Sequence, residues 1–138
     1  MEEKIKIKKN KRLRGFPGVV KGLLDPLNSR EEFQEEFKDE NFTVLLNTND
    51  GKLAALITIQ NGNLEIDSIK NIPKENIAKK NAGWGGKLET STPLFLEIAM
   101  GKLSLVGIIF KVITRKIKMR GVRKLLKVLK MFGMLGQG

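Results

Sequence analysis

Residues 42–69, FTVLLNTNDGKLAALITIQNGNLEIDSI, decide the fold of this chain. Three runs rich in apolar and β-branched residues are separated by two pairs of turn residues, Asp50-Gly51 and Asn61-Gly62. Asp-Gly and Asn-Gly readily adopt the positive φ angles of tight hairpin turns, so each pair predicts a reversal of the chain. The stretch therefore predicts an antiparallel meander with strands over 42–48, 52–60 and 64–69.

The chain downstream of the meander alternates between helical and strand patterns. Pro73 predicts a short helix to about residue 80, because proline favours the first helical turn. Alternation over 87–91 predicts a fourth strand, and Thr92-Pro93 predicts a capped helix that stops at Gly101. Residues 115–120, RKIKMR, predict a fifth, basic strand.

The chain upstream of the meander is predicted to contain one helix. Ser29 is expected to cap it, because acidic residues follow in the first turn and Phe33 and Phe37 are spaced to share a face. Gly15-Phe16-Pro17-Gly18 is typical of a turn. We expect residues 1–28 to form a basic arm and lead-in, and residues 29–138 to form the folded domain.

Two apolar helices are predicted near the C-terminus. Residues 103–113, LSLVGIIFKVI, are apolar nearly all round, so a helix there must be surrounded by protein or by ligand. The last helix has an apolar face at helical spacing, formed by Val122, Leu125, Leu126, Leu129 and Phe132. Its opposite face is basic and holds Arg123, Lys124, Lys127 and Lys130.

The composition argues against an enzyme. The chain has no histidine and no cysteine, which removes disulfides, thiolate and imidazole metal ligands and every Ser-His or Cys-His pair. The carboxylate pairs Glu35-Glu36 and Asp39-Glu40 lie in a charged segment where nothing predicts the raised pKa of a general acid. The glycines around Trp84 lack the Gly-Lys-Ser/Thr context of a phosphate loop and predict a turn.

The charge is +11 and unevenly distributed. Residues 4–21 hold eight Lys and Arg, residues 25–40 hold seven Asp and Glu, and ten Lys and Arg follow Glu97 without an acidic residue. Such asymmetry favours attraction to an anionic membrane or to nucleic acid, and the alternative is a solvated basic face. Without a stretch of signal-peptide character at residues 1–15, we expect a cytoplasmic protein.

The order of these parts resembles the sterol carrier protein 2 (SCP2-like) domain over residues 40–133. The resemblance rests on the two hairpin turns, on Thr90-Ser91 leading into a helix that ends at Gly101-Lys102, and on the Lys-rich 116–118 stretch before Gly121. It implies an α+β fold in which helices cover one face of a five-stranded, mostly antiparallel sheet. It further implies a tunnel for fatty acyl chains or sterols, with no cofactor and no covalent chemistry. The peroxisomal tail of the eukaryotic carrier is absent, which suggests a prokaryotic-type relative.

A lipid carrier is therefore the function that the sequence favours, with an apolar ligand held between the sheet and the C-terminal helices. Helical phase predicts that the ligand contacts Phe95, Ile98, Leu105, Val106, Ile109, Phe110, Leu125, Leu129 and Phe132. The basic residues expected to dock on anionic membranes are Arg123, Lys124, Lys127 and Lys130. The rival is a basic nucleic-acid-binding or adaptor protein without a small-molecule ligand. Against nucleic-acid binding, aromatic residues are few and are not interleaved with the basic ones. The oligomeric state stays open.

Overall fold

The computed structural model describes residues 13–102 and 105–135. In that part, five strands form one sheet: β1 (Asn41–Thr48), β2 (Leu53–Gln60), β3 (Asn63–Lys70), β4 (Gly86–Thr90) and β5 (Lys118–Arg120). The helices are α1 (Gly15–Leu24), α2 (Glu31–Glu36), α3 (Lys79–Ala82), α4 (Thr92–Ala99), α5 (Leu105–Ile113) and α6 (Val122–Leu135). Two 3₁₀ turns cover Asp25–Ser29 and Lys74–Ile77.

The sheet has the strand order β3-β2-β1-β4-β5. Its first three strands form the predicted antiparallel meander, with Leu45 opposite Leu56 and Ile57 opposite Ile66. Strand β4 runs parallel to β1, and β5 closes the edge antiparallel to β4. The expected α+β class and five-stranded sheet are confirmed, and the sheet is mixed because of the β1–β4 pair.

The two faces of the sheet differ in what covers them. The helix face carries residues such as Val44, Leu46, Ile57 and Leu88, which join side chains of the helices in the main core. The opposite surface, which we call the second face, holds a smaller cluster of Leu45, Ala54, Ile77 and Trp84. Alternation along each strand produces this division, since successive side chains point to opposite faces.

Helix α1 occupies a stretch for which the sequence predicted a turn. Its Val20 and Leu24 are fully buried in the main core, as is Leu27 in the turn that follows. Pro17 lies in the first helical turn, a position where proline is tolerated because its missing N–H is not needed. Residues 1–12 lie outside the described part, so the basic arm stays a prediction.

Two predicted helix caps were wrong. The N-cap of α2 is Arg30, without a side-chain cap bond, while the Ser29 hydroxyl donates to the carbonyl of Pro26. The N-cap of α4 is Ser91, whose Oγ accepts from the Leu94 amide at 3.3 Å. Thr92 is one residue too late to cap because it already has helical geometry.

The segment after Pro73 also departs from the prediction. Instead of one helix to residue 80, the chain forms a 3₁₀ turn and then α3, separated by the extended residue Ala78. The fifth strand is shorter than predicted and covers only Lys118–Arg120. Within the described ranges, no helix has both the length and the apolar character needed to cross a membrane.

Candidate ligand-binding site

The helix layer is fixed to the sheet at both of its ends. At the start of α4, the Asp50 carboxylate in the β1–β2 turn accepts bonds from the Thr92 N–H and hydroxyl. At the start of α6, Gly121 has a φ of +64°, and a Cβ there would lie 2.0 Å from the Gly85 carbonyl oxygen. The close approach sets where α6 begins. The two contacts fix the start of α4 at the β1–β2 turn and place α6 over β1 and β4.

A row of three aromatic rings lies in the centre of this layer. The Phe95 ring meets Phe16 of α1 with centroids 4.9 Å apart and Phe132 of α6 at 5.6 Å, both edge to face. Phe95 itself is 1% exposed. Edge-to-face pairs of this kind add to the free energy of burial, so the row links three helices across the sheet.

The structure brings five of the nine predicted ligand residues together. Phe95, Ile98, Leu125 and Phe132 are buried in the main core, and Leu129 packs against it. The side chains of Leu105, Val106 and Ile109 lie outside the described part. That the five residues contact a ligand stays a prediction, since the same packing suits a core without one.

The structure places Phe110 away from that core, 62% exposed. Ile108 is buried and Val112 packs against the core, so these residues, four apart, mark the inner side of α5. Phe110 lies two residues beyond Ile108 and therefore points to the opposite side. Ile113 is also exposed on this helix.

Helix α6 is rotated relative to the face that the sequence predicted. Val122 and Leu126 were expected on the inner face, and both are about half exposed. The buried positions not predicted for this face are Val128, Met131 and Met134. The spacing of Leu125, Val128 and Phe132 is a signal that could have identified the first of them.

Two of the four predicted membrane-docking residues form ion pairs with the acidic segment that precedes β1. The Lys127 Nζ lies 2.5 Å from Glu40 Oε1, and the Lys130 Nζ lies 2.7 Å from Glu36 Oε2. Lys124 has its Nζ 5.2 Å from the Phe42 ring, and Arg123 is exposed. The charge asymmetry seen in the sequence is therefore partly neutralised in three dimensions.

Three of the four carboxylates considered for acid–base chemistry form ion pairs with lysines. Glu36 and Glu40 contact the lysines of α6, and Glu35 accepts from Lys38 at 2.9 Å. The hydrogen bond from Lys38 to Glu35 raises the pKa of that lysine. Across the residues that the structure describes, no group of three or more Asp and Glu could hold a metal ion.

An apolar pocket of about 280 Å³ opens between α1, α4 and the β1–β2 turn. Phe16, Val19, Leu53 and Leu96 contribute to its lining. Thr48 also lines it, and among the described residues its buried hydroxyl has no hydrogen-bond partner. Phe16 connects the pocket to the aromatic row, a relation that the sequence analysis missed because it predicted no helix at α1.

Comparison with solved structures identifies the fold. The chain is similar to the UbiJ-SCP2 ubiquinone synthesis protein, with a TM-score of 0.59 and 5% identity, over 91% of this chain and 98% of that one. It is also similar to a double mutant of the sec-alkylsulfatase PisA1, with a TM-score of 0.60 and 20% identity over 88% of this chain. A second structure, the stereoselective inverting sec-alkylsulfatase Pisa1 from Pseudomonas sp., gives 0.51 and 21% over 72% of this chain.

These likenesses establish the fold and confirm that it is SCP2-like. The chain spans only 16% and 14% of the two alkylsulfatase chains, whereas it spans nearly all of the SCP2 protein. No protein-family model matches the chain, and no curated protein does either.

Proposed function

We propose that this protein binds an apolar, lipid-like ligand between the sheet and helices α1, α4 and α6, and that it does so without catalysing a reaction. The observation that carries the proposal is the apolar pocket beside Phe16, which joins the aromatic row in the core. The SCP2-like fold supports it, since the full-length structural neighbour is an SCP2 protein.

The chemistry of the pocket suits an alkyl chain. Its exposed lining is mostly apolar, and its polar residues are the buried Thr48, Thr92, which is bonded to Asp50, and the exposed Lys52. Burial of each methylene contributes about 0.8 kcal/mol, and the costs of association and ordering offset much of the sum. We therefore expect micromolar binding with loose specificity, in which the terminal segment of a longer chain occupies the pocket.

A peripheral contact with anionic membranes would let such a carrier load and unload. The exposed apolar side chains Phe110, Ile113 and Leu126 lie on the C-terminal helices close in sequence to Lys111 and Arg123. A helical surface with apolar and cationic residues is suited to lie at a lipid interface. Arg123 and Lys124 would contribute most, because Lys127 and Lys130 are held by carboxylates.

Lipid extraction tests the proposal first. Protein purified from cells should release a fatty acid or related lipid into organic solvent, detected by mass spectrometry, and should bind a fluorescent fatty acid with saturation that added salt leaves unchanged. Val19→Glu should weaken that binding about tenfold or more, because it puts a charge at the pocket mouth.

Val122→Glu is the matched control, since Val122 on α6 is exposed to a similar extent but lies outside the pocket lining. It should leave the fluorescent titration unchanged. Absence of extractable lipid together with absence of saturable binding would overturn the proposal. Oligonucleotide binding that falls steeply with salt would instead favour the nucleic-acid alternative.

A further inference from the structure

The second face of the sheet carries a cleft that the lipid proposal does not use. It has a volume of about 870 Å³, within the range of small-molecule sites. Ile77 and Trp84 form part of one wall, and Asn47 and Asn71 lie along its length. Five cations line it against one carboxylate: Lys74, Lys87, Arg115, Lys118 and Arg120 against Glu89.

The Trp84 wall is held rigidly. Its Nε1 donates to the Ile77 carbonyl at 2.8 Å, and the residue is buried. The Lys87 Nζ lies 5.6 Å from the Trp84 ring centroid and 3.8 Å from Glu89 Oε1. Trp84 therefore forms a rigid and largely covered edge of the cleft, with the Lys87 ammonium group beside it.

One pair of like charges and one pair of opposite charges face each other across the β4–β5 pair. Lys87 is the register partner of Arg120, and Glu89 is the partner of Lys118. All four side chains belong to the second face, because Leu88 and Met119 between them pack into the main core. Like charges in directly opposed positions destabilise a sheet, so Lys87 and Arg120 carry a cost that a bound anion would remove.

Arg115 adds a cost of the same kind at the end of the cleft. It lies two residues beyond the end of α5 with a φ of +65°, and the N–H of the following Lys116 donates to the Lys111 carbonyl at 2.8 Å. Glycine is the favoured residue at such a left-handed helix terminus, since it has no Cβ. An arginine there, with its side chain lining the cleft, is a strained choice that fold stability alone does not favour.

We propose that this cleft binds a small phosphate- or diphosphate-bearing molecule. Guanidinium groups form paired hydrogen bonds to phosphate oxygens, and several clustered cations favour a multiply charged anion. The Trp84 ring is buried and its N–H is used internally, so it offers no free surface for stacking a nucleic-acid base. The inference is independent of lipid binding on the helix face.

Calorimetric titration of the full chain with inorganic pyrophosphate at low ionic strength tests the site. The wild-type protein should bind with a stoichiometry of one, and Lys118→Gln/Arg120→Gln should weaken binding about tenfold or more. Lys70→Gln/Lys80→Gln removes the same charge from exposed positions outside the cleft lining and should leave the affinity within about twofold.

Arg115→Gly separates the contribution of Arg115 to ligand binding from its effect on the stability of the fold. This variant should unfold at a higher temperature than the wild type, because it relieves the left-handed residue, and should still lose pyrophosphate affinity. Equal affinity in wild type and Arg115→Gly, or equal weakening in both double variants, would overturn the proposal.

Vesicles distinguish the two sources of phosphate. If the ligand is a free organic phosphate, pyrophosphate should bind in the absence of lipid, and Lys118→Gln/Arg120→Gln should leave sedimentation with phosphatidylglycerol vesicles unchanged. If it is a lipid head group, that variant should lose vesicle binding and pyrophosphate should compete. Single-stranded oligonucleotide that binds more tightly than pyrophosphate and loses affinity in the same variant would overturn the choice of a small ligand.

Discussion

The carboxylate of Asp50 accepts three hydrogen bonds from Thr92, two from the backbone N–H at 3.0 and 3.1 Å and one from the hydroxyl at 2.8 Å. Asp50 is in the β1–β2 turn and Thr92 opens α4, 42 residues later. The residue that the sequence identified as part of a turn thus also fixes the position of a helix. These bonds, the Thr92 hydroxyl first and then its N–H, lower the pKa of Asp50 below its usual 3.8.

Acidic pH should weaken the hydrogen bonds between Asp50 and Thr92 over a predictable pH range. Because the folded pKa is lowered, the stabilisation is complete above pH 3.8 and is lost as pH falls through the folded pKa. Asp50→Asn keeps a residue suited to a tight turn before Gly51 but removes the charge. We expect wild type to melt above Asp50→Asn at pH 7 and the gap to narrow below pH 3.8, measured by thermal unfolding across pH. A gap that widens in acid would contradict this assignment.

Gly121 should tolerate no side chain. Gly121→Ala would place a Cβ 2.0 Å from the Gly85 carbonyl oxygen and 2.8 Å from the Gly86 Cα, both in backbone that cannot move aside without opening the β4–β5 edge. We expect a loss of about 3 kcal/mol or more in the free energy of unfolding by urea, since a main-chain clash adds to the strain of positive φ.

Gly83→Ala is the control for that prediction. Gly83 has a φ of +72°, close to that of Gly121, and a Cβ there meets nothing within 4 Å. Its loss should be about 1 kcal/mol, the cost of the left-handed conformation alone. Similar losses for both variants would show that the contact with Gly85 does not constrain α6.

The Lys127–Glu40 ion pair should contribute modestly to the free energy of unfolding. Both side chains are about one-third exposed, and such pairs stabilise by about 0.2 to 1 kcal/mol. A double-mutant cycle with Lys127→Gln and Glu40→Gln, read from urea unfolding, should give a coupling in that range which decreases with added salt. Arg123→Gln, on the exposed side of α6, should change stability by less. A coupling near zero at low salt would remove the pair as a link between α6 and the start of β1.

The sequence predicted the parts of the fold that local chemistry determines. Asn61-Gly62 defines its hairpin by itself, because both residues adopt positive φ in a two-residue turn between β2 and β3. The reversal at Asp50-Gly51 was also predicted, but the β1–β2 connection has four residues, 49–52, and neither Asp50 nor Gly51 has positive φ. Helix α1 was missed since Gly15, Pro17 and Gly18 have low helix propensity, and burial of Val20 and Leu24 outweighs that propensity. The parallel β1–β4 pair joins strands far apart in sequence, which no local signal specifies.

The candidate site was less predictable from the sequence than the fold, because local spacing does not specify which side chains tertiary packing buries. Apolar residues occupy so many positions of α6 that their spacing defines a wide apolar stripe. The spacing does not identify which of these residues lie at the centre of the buried face. Packing against the sheet selects Val128 and Met131 for burial over Val122 and Leu126. The basic cleft combines residues from β4, β5 and two other segments of the chain. Lys87 and Arg120 are far apart in sequence and lie opposite each other only once the sheet has formed.

The Thr48 hydroxyl should cost the unliganded protein stability. It is buried at the C-terminal end of β1, where it lines the pocket next to Phe16, and it has no hydrogen-bond partner among the described residues. Thr48→Val keeps the branched shape that suits a strand and removes the unpaired oxygen, so it should raise the free energy of unfolding by about 1 kcal/mol.

The same variant tests what the hydroxyl does when the pocket is filled. If a ligand's polar atom bonds to Thr48, then Thr48→Val should bind the fluorescent fatty acid more weakly while folding more stably, and urea unfolding with and without fatty acid measures both effects. A variant that is less stable than wild type without ligand would mean that the hydroxyl is already satisfied within the fold. A more stable variant with unchanged affinity would mean that the ligand does not reach this oxygen.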